Sequence, residues 1–373
     1  MNSQKPSSTN SNINSERAMH LDGIRGIAAL AVAIFHFFRS FNNSLISSAE
    51  TVNHTFLSTL WNGHFAVALF FVLSGFLFFE KFYRTTIVAA ITAVVKRYFR
   101  LCAPILFICL TAYVLHASCL FFNKQAGTAN GSDWLVRWYT FSPDIYLAIT
   151  ESLWKDFFYF DPTLTYNSNL WTISYELLAV FLVIAIGLLC RHLNLLSQTI
   201  LLLAAAALSF GTHYFEFILG SLLALTYLKL KTQLTFFAAT LTGLIALSIA
   251  PLTLPPQLAS LASDLFYPLA AVLFIGSVNA NKTLRKIFSN KVFLKLGEMS
   301  FGLYLTHFVV LSSAASAVFI STDSVTQTFI AYVAVTAVAS IIFTYAVDKP
   351  WMKFLNGAFG KKKISSTTAI PFQ

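Results

Sequence analysis

The chain has 373 residues, of which 57% are hydrophobic and only 11% charged, with 38 phenylalanines and a mean hydropathy of +0.69. That profile excludes an ordinary soluble domain and indicates a polytopic membrane protein. The net charge of +10 does not point to nucleic acid, because the basic residues lie in short clusters between apolar runs, where they act as topology signals and lipid-headgroup contacts.

Residues 1–18 are rich in Ser and Asn and read as a disordered cytoplasmic tail. They have no apolar core of the kind a cleaved signal peptide needs, so the first span is expected to be retained. Apolar windows of membrane-spanning length follow near 21–38, 63–79, 102–121, 171–189, 198–212, 214–229, 234–252, 259–278, 299–319 and 327–347. This gives an all-α polytopic membrane domain of about ten helices over residues 19–357, built around a central polar cavity. A basic cytoplasmic tail is expected at 358–373, with no extra soluble domain. The short apolar stretch 87–95 reads as a helix lying along the membrane. No internal repeat is visible, which leaves the inverted-repeat transporter architecture without support.

Alternating the loops between two sides collects about twenty of the 25 Lys and Arg on one side, so the positive-inside rule favours an even number of spans with both termini in the cytoplasm. The long loop 122–170 then lies outside. It is acidic and aromatic, carrying Asp133, Asp144, Glu151, Asp156 and Asp161 among Trp134, Trp138 and Trp154, and its aromatic content argues for order. The four cysteines, Cys102, Cys109, Cys119 and Cys190, have no CxxC pair or His-rich partner pattern. They read as small packing residues, and neither a disulfide nor a metal site is expected.

The first span, LDGIRGIAALAVAIFHFF, carries polar groups that a purely structural helix would omit. His36 follows Arg25 by eleven residues, three turns plus about 20°, so the two share a face about 16 Å apart. Asp22 lies on the same face, three residues before Arg25. Snorkelling of Arg25 or a pair with Asp22 is an equally good account of these charges. In NLWTISYELLAVF, Trp171 reads as an interfacial anchor, with Ser174 and Glu176 following it. Glu176 is expected at the depth of His36, although a helix N-terminus also favours an acid there. In KRYFRLCAPIL, Arg97 and Arg100 are three apart at the expected cytoplasmic mouth of the third span. Such a pair suits phosphate, and ordinary inside anchoring is the alternative. Pro104 falls near the expected start of that span, where proline is tolerated. Ser74-Gly75 fits close helix packing better than nucleophilic chemistry. Tyr304 and His307 share a face of the ninth span and either line a cavity or make an interhelical hydrogen bond. Glu216 and Asp264 are further acids in apolar runs, each read as cavity lining or as paired with a basic neighbour.

Together these segments resemble the family-3 membrane acyltransferases, which include O-antigen, exopolysaccharide and antibiotic O-acyltransferases. LDGIRGIAALAVAIFHFF is similar to the family's first helix, with Arg25 and His36 ten residues apart by intervening count. FFVLSGFLFF is similar to its second helix, RYFRL to its Arg-x-x-Arg motif and LWTISYE to its Trp-Ser-x-Glu stretch. LGEMSFGLYLTHF and VDKPWMKF resemble the closing segments. The chain departs from the pattern at Ala68, where members often carry an acid, and at Cys102-Ala103-Pro104, where Tyr-Pro is usual.

The resemblance implies an enzyme of a bacterial cytoplasmic membrane, with no permanent cofactor. It would move an acyl group, by family habit acetyl, from acyl-CoA to a hydroxyl of a surface or lipid-linked glycan. Arg25, Arg97 and Arg100 would hold the donor's phosphates, neutral His36 would be the general base, and Glu176 would orient its imidazole. Asp22, Ser74, Trp171, Ser174, Tyr304 and His307 would line the cavity. A covalent relay through Ser74 or the histidine, a glycan or lipid transporter or flippase, acylation of a small-molecule glycoside, and a structural or sensory membrane protein stay open as rivals.

Overall fold

The computed structural model describes the backbone of residues 9–41, 59, 61–83, 85–230, 233–249 and 259–359, with side chains from Met19 onward. Among the described residues every regular element is a helix, with no strand. Residues 1–8 and 360–373 of the two expected tails lie outside that range. Helix α1, Thr9–Ser40, already includes residues 9–18, and its apolar membrane-length part is Met19–Ser40.

A helix occurs at each of the ten expected positions, but fewer have the length of a full span. Among the described residues, seven are long and apolar enough to cross a membrane. Leu195–Ser209 (17 residues or fewer, like the next two), Tyr214–Leu230 and Phe236–Ile249 are shorter. In chain order the elements are α1; α2, Gly63–Phe82; α3, Ile87–Ala117; α4, Asn123–Asn130; and α5, the helical stretch 145–158. Then come α6, Trp171–Cys190; α7, Leu195–Ser209; α8, Tyr214–Leu230; and α9, Phe236–Ile249. The last are α10, Tyr267–Ala280; α11, Lys282–Phe288; α12, Lys291–Val310; α13, Val325–Phe343; and α14, Lys349–Ala358.

The stretch 87–95 is not a separate surface helix. It is the first third of α3, because nothing between Ile87 and Leu101 breaks a helix. Arg97 and Arg100 therefore sit well inside α3 rather than ahead of it. Pro104 is interior too, and the carbonyl of Arg100 loses its i+4 amide partner.

Glycine sets the closest helix contacts, as expected where lipid supplies no hydrophobic drive and packing must do the work. On α1, a Cβ at Gly26 would stand 2.4 Å from the amide nitrogen of Gly297 on α12. One at Gly297 would stand 2.2 Å from the carbonyl oxygen of Asp22. A second such contact joins α2 to α8, where a Cβ at Gly75 would meet the Phe217 carbonyl oxygen at 2.0 Å and one at Gly220 the Val72 oxygen at 2.1 Å. Large apolar side chains point outward instead, among them Val88, Phe107, Leu208, Phe237 and Ile342.

The two largest apolar clusters of the interior lie among α1, α2, α6, α7, α8 and α10 and among α3, α5, α6, α12 and α13. Helix α6 contributes to both, with Ala179 and Val183 in the first and Ile173 and Leu177 in the second.

The long loop is ordered, as its aromatic content implied, but it does not stay on one side of the bundle. Near its end Tyr166 packs on Tyr113, and the Tyr166 hydroxyl accepts at 2.8 Å from the amide of Asp144, near the loop's centre. From there α5 runs back along α3 until the Tyr98 hydroxyl donates to the Leu153 carbonyl and Phe157 packs on Tyr98 with ring centroids 4.8 Å apart. Tyr98 and Tyr113 are fifteen residues apart, so the loop re-enters the bundle by about 22 Å. Its backbone is satisfied inside the helix and its Leu147, Ala148 and Phe157 are buried, which is what permits irregular chain at that depth.

Candidate active site

Helices α1 and α12 run parallel from the Gly26–Gly297 contact, and ten residues further along each stand His36 and His307. Equal steps of about 15 Å bring the two rings together. Their planes lie 20° apart with centroids at 5.2 Å, and His36 Nδ1 is 2.9 Å from His307 Nε2.

The hydrogen bonds assign the protons. His307 Nδ1 is 2.8 Å from the carbonyl oxygen of Leu303, which can only accept, so Nδ1 carries a proton. In neutral His307 the Nε2 atom is then the acceptor, and it also receives the Asn169 amide at 3.2 Å. His36 Nδ1–H must be the donor between the rings. The lone pair of His36 is thereby left on Nε2. His307 is fully buried, whereas His36 retains exposure, so the basic nitrogen belongs to the accessible ring.

The re-entrant loop builds the rest of this end. Trp134 stacks on His36 with centroids 5.4 Å apart, and Arg39 lies over Trp134 at 5.1 Å. Asn167 donates to the Leu305 carbonyl at 2.8 Å, and Asn169 donates to the Tyr304 carbonyl at 3.2 Å. Tyr304 donates in turn to the Asn169 carbonyl and contacts Thr172 Oγ1 at 2.8 Å. Of the two readings open for Tyr304, the interhelical hydrogen bond is the one observed.

Glu176 is not at the depth of His36. It forms an ion pair with Arg97 and accepts from Ser74 Oγ at 3.3 Å. Gly63 at the head of α2 lies against the Phe35 ring, and Ser74 is eleven residues further along, about 16 Å away. The expected His36–Glu176 pair is therefore replaced by His36–His307. The cause is the descent of residues 159–170 into the bundle, which starts α6 deeper than a span beginning at the surface. Ser74 shares this distance from His36, so the neighbour that could activate its hydroxyl is a carboxylate already paired with Arg97.

The three arginines do converge. Arg97 lies within electrostatic reach of Arg25 and Arg100 as well as Glu176, and its guanidinium sits 4.4 Å over the Phe78 ring. Arg25 is paired with Asp22 at 2.8 Å, and the charge of Arg100 acts on the buried Asp348. Among the described residues, Arg25 and Arg97 are thus each paired with a carboxylate, whereas Arg100 acts on Asp348 only through space. The remaining candidates have local roles. Ser174 donates to the Trp171 carbonyl within α6 at 2.9 Å, and Trp171 packs on His213 with centroids 5.0 Å apart. His213 Nδ1 is 3.3 Å from Glu216, the basic neighbour expected for that acid.

Four contributors were not singled out from the sequence as site residues: Trp134, Arg39, Asn167 and Asn169. The polar run NSN just before Trp171 was the available signal for the two asparagines.

A family model described as an acyltransferase domain, that of the family-3 acyltransferases, matches residues 20–347. The chain belongs to this family of membrane acyltransferases. With its apolar spans this makes it a multi-pass membrane acyltransferase. No match was found among curated proteins or among solved structures.

Proposed function

We propose that the protein is an acyl-CoA-dependent O-acyltransferase of a bacterial cytoplasmic membrane, with both termini in the cytoplasm, that acylates a hydroxyl of a surface or lipid-linked glycan. Acetyl is the group proposed. The donor's phosphates engage Arg97 and Arg100, with Arg25 adding charge, and displace Glu176 from the Arg97 guanidinium. The thioester reaches His36. Its Nε2 takes the proton of the acceptor hydroxyl as that oxygen attacks the thioester carbonyl. The C–S bond then breaks, and the proton returns from His36 to the departing thiolate. His307 fixes the tautomer of His36 and stabilises the imidazolium through the ring-to-ring hydrogen bond, the part a carboxylate plays in a catalytic triad.

The observation that carries this reading is the 2.9 Å His36–His307 contact with His307 Nδ1 held by a carbonyl, which leaves a free lone pair on the accessible ring. The separation of about 16 Å between the arginine cluster and the imidazole also favours a donor whose phosphates and thioester are joined by a long arm. The reading is tested by following labelled acetyl-CoA in membranes containing the protein. Transfer to polysaccharide or lipid-linked sugar, seen as added acetyl mass and lost in His36→Ala, is the expected result. Movement of glycan across the membrane without acetyl transfer would instead make the chain a carrier.

A further inference from the structure

We propose that Cys109, Glu151 and Asp156 form a binding site for one divalent cation of the zinc(II) class, away from the histidine pair. Cys109 lies on α3, and the two acids lie on the re-entrant α5. All three are buried, and their ligand atoms lie within 4.8 Å of one another. A tetrahedral zinc with one sulfur at about 2.3 Å and oxygens at about 2.1 Å needs donors about 3.6 Å apart, which side-chain adjustments of about 1 Å supply.

Asp156 is the second, independent sign. It is 0% exposed, and neither of its carboxylate oxygens has a hydrogen-bond partner among the described residues. As an anion it leaves a buried charge unmatched, and as a neutral acid it leaves a buried O–H without an acceptor. A cation removes both difficulties. Glu151, by contrast, is held in place: its carboxylate accepts from Thr165 Oγ1 and from the Tyr166 amide at 2.9 and 3.0 Å. Such outer hydrogen bonds are what orient a carboxylate ligand toward a metal.

Backbone geometry brings the acids together. Residues five apart in an α-helix point about 140° away from each other. Here Glu151–Lys155 forms a π-turn, closed by the Asp156 amide on the Glu151 carbonyl, so the two carboxylates share a face. Single π-turns of this kind are frequent at functional sites. Charge is balanced as well. A thiolate and two carboxylates oppose the two charges of the ion, and Lys155, whose charge acts on both acids, supplies the third. The ligand set joins soft sulfur to hard oxygen, which suits zinc rather than magnesium or calcium. Sequence spacing gave no sign of it, since the ligands come from two helices more than forty residues apart.

The test uses the full-length protein purified in detergent, incubated with zinc chloride, desalted and analysed for metal. About one zinc per chain is expected, together with a raised thermal midpoint that a chelator reverses. Cobalt(II) in place of zinc should give a thiolate-to-cobalt charge-transfer absorption that Cys109→Ser abolishes, and Asp156→Asn should weaken zinc retention at least about tenfold. Less than about 0.1 zinc per chain after loading would overturn the proposal and assign the two acids a shared proton instead. Equal retention by both variants would overturn it too. The wild-type stoichiometry and chelator response decide the question even if a variant fails to fold.

Discussion

His36 and His307 lie 271 positions apart in the chain and 2.9 Å apart in the fold. Their meeting is dictated one helix contact away, where Gly26 and Gly297 let α1 and α12 approach so closely that neither position has room for a Cβ. Two parallel helices in register at one point remain in register ten residues on, because both rise by the same 1.5 Å per residue.

Removing the base should stop the chemistry without unfolding the protein. His36→Ala is expected to lower acetyl transfer by about 10²- to 10⁴-fold at saturating donor. The check is a labelled-acetyl assay in membranes, alongside gel filtration to verify folding. Activity within about threefold of wild type would dismiss His36 as the base.

The partner ring can be examined by comparing two replacements. His307→Ala leaves His36 Nδ1–H without its acceptor and frees the tautomer, so transfer should fall by about a hundredfold. His307→Gln offers an amide oxygen to the same N–H and should recover part of that loss. If Ala and Gln behave alike, His307 serves packing alone.

Glu176 separates the arrangement observed from the triad expected on sequence grounds. Its contacts are Arg97 and Ser74, so Glu176→Gln should change the donor concentration required and leave the maximal rate largely intact. Arg97→Ala and Arg100→Ala should likewise weaken donor binding, and raising acetyl-CoA should relieve the defect. A fall in maximal rate that no donor concentration repairs would return Glu176 to the chemistry.

Ser74→Ala tests the covalent relay. The hydroxyl makes one long hydrogen bond to Glu176, and its removal should cost less than about tenfold in transfer, equivalent to about 1.4 kcal/mol. Complete loss, with an acyl group trapped on wild-type Ser74 by mass spectrometry, would establish a two-step route.

The glycine crossings should be sensitive to a single methyl. Gly26→Ala forces a Cβ to within 2.4 Å of the Gly297 nitrogen, and Gly75→Ala forces one to within 2.0 Å of the Phe217 carbonyl. Each should destabilise by about 1–3 kcal/mol, read as a lower thermal midpoint in detergent. Gly357→Ala, which meets nothing within 4 Å, is the control.

Much of this was legible in the chain. Apolar windows located a helix at every expected position, and the period of the first span put Arg25 and His36 on one face. Glu176 lies deeper than linear spacing implies for a specific reason. A span counted from the surface starts at the surface, whereas the chain before Trp171 has already descended into the bundle. Arg97 and Arg100 lie inside α3 rather than ahead of it for a similar reason, since the apolar stretch 87–95, too short to span alone, is continuous with the next. The match of His307 with His36 is not legible in the chain, because periodicity relates residues within one helix and says nothing about which helices lie side by side. The Glu151–Asp156 juxtaposition was hidden by a π-turn that a regular helical period does not contain.

Pro104 carries a consequence of its own. With the Arg100 carbonyl missing its rung, α3 has a soft joint between the half that bears the arginine pair and the half that bears Cys109. The folded-back loop bridges that joint, holding the first half at Tyr98 through the Leu153 carbonyl and Phe157 and the second at Tyr113 through Tyr166, so it acts as a splint across the missing rung.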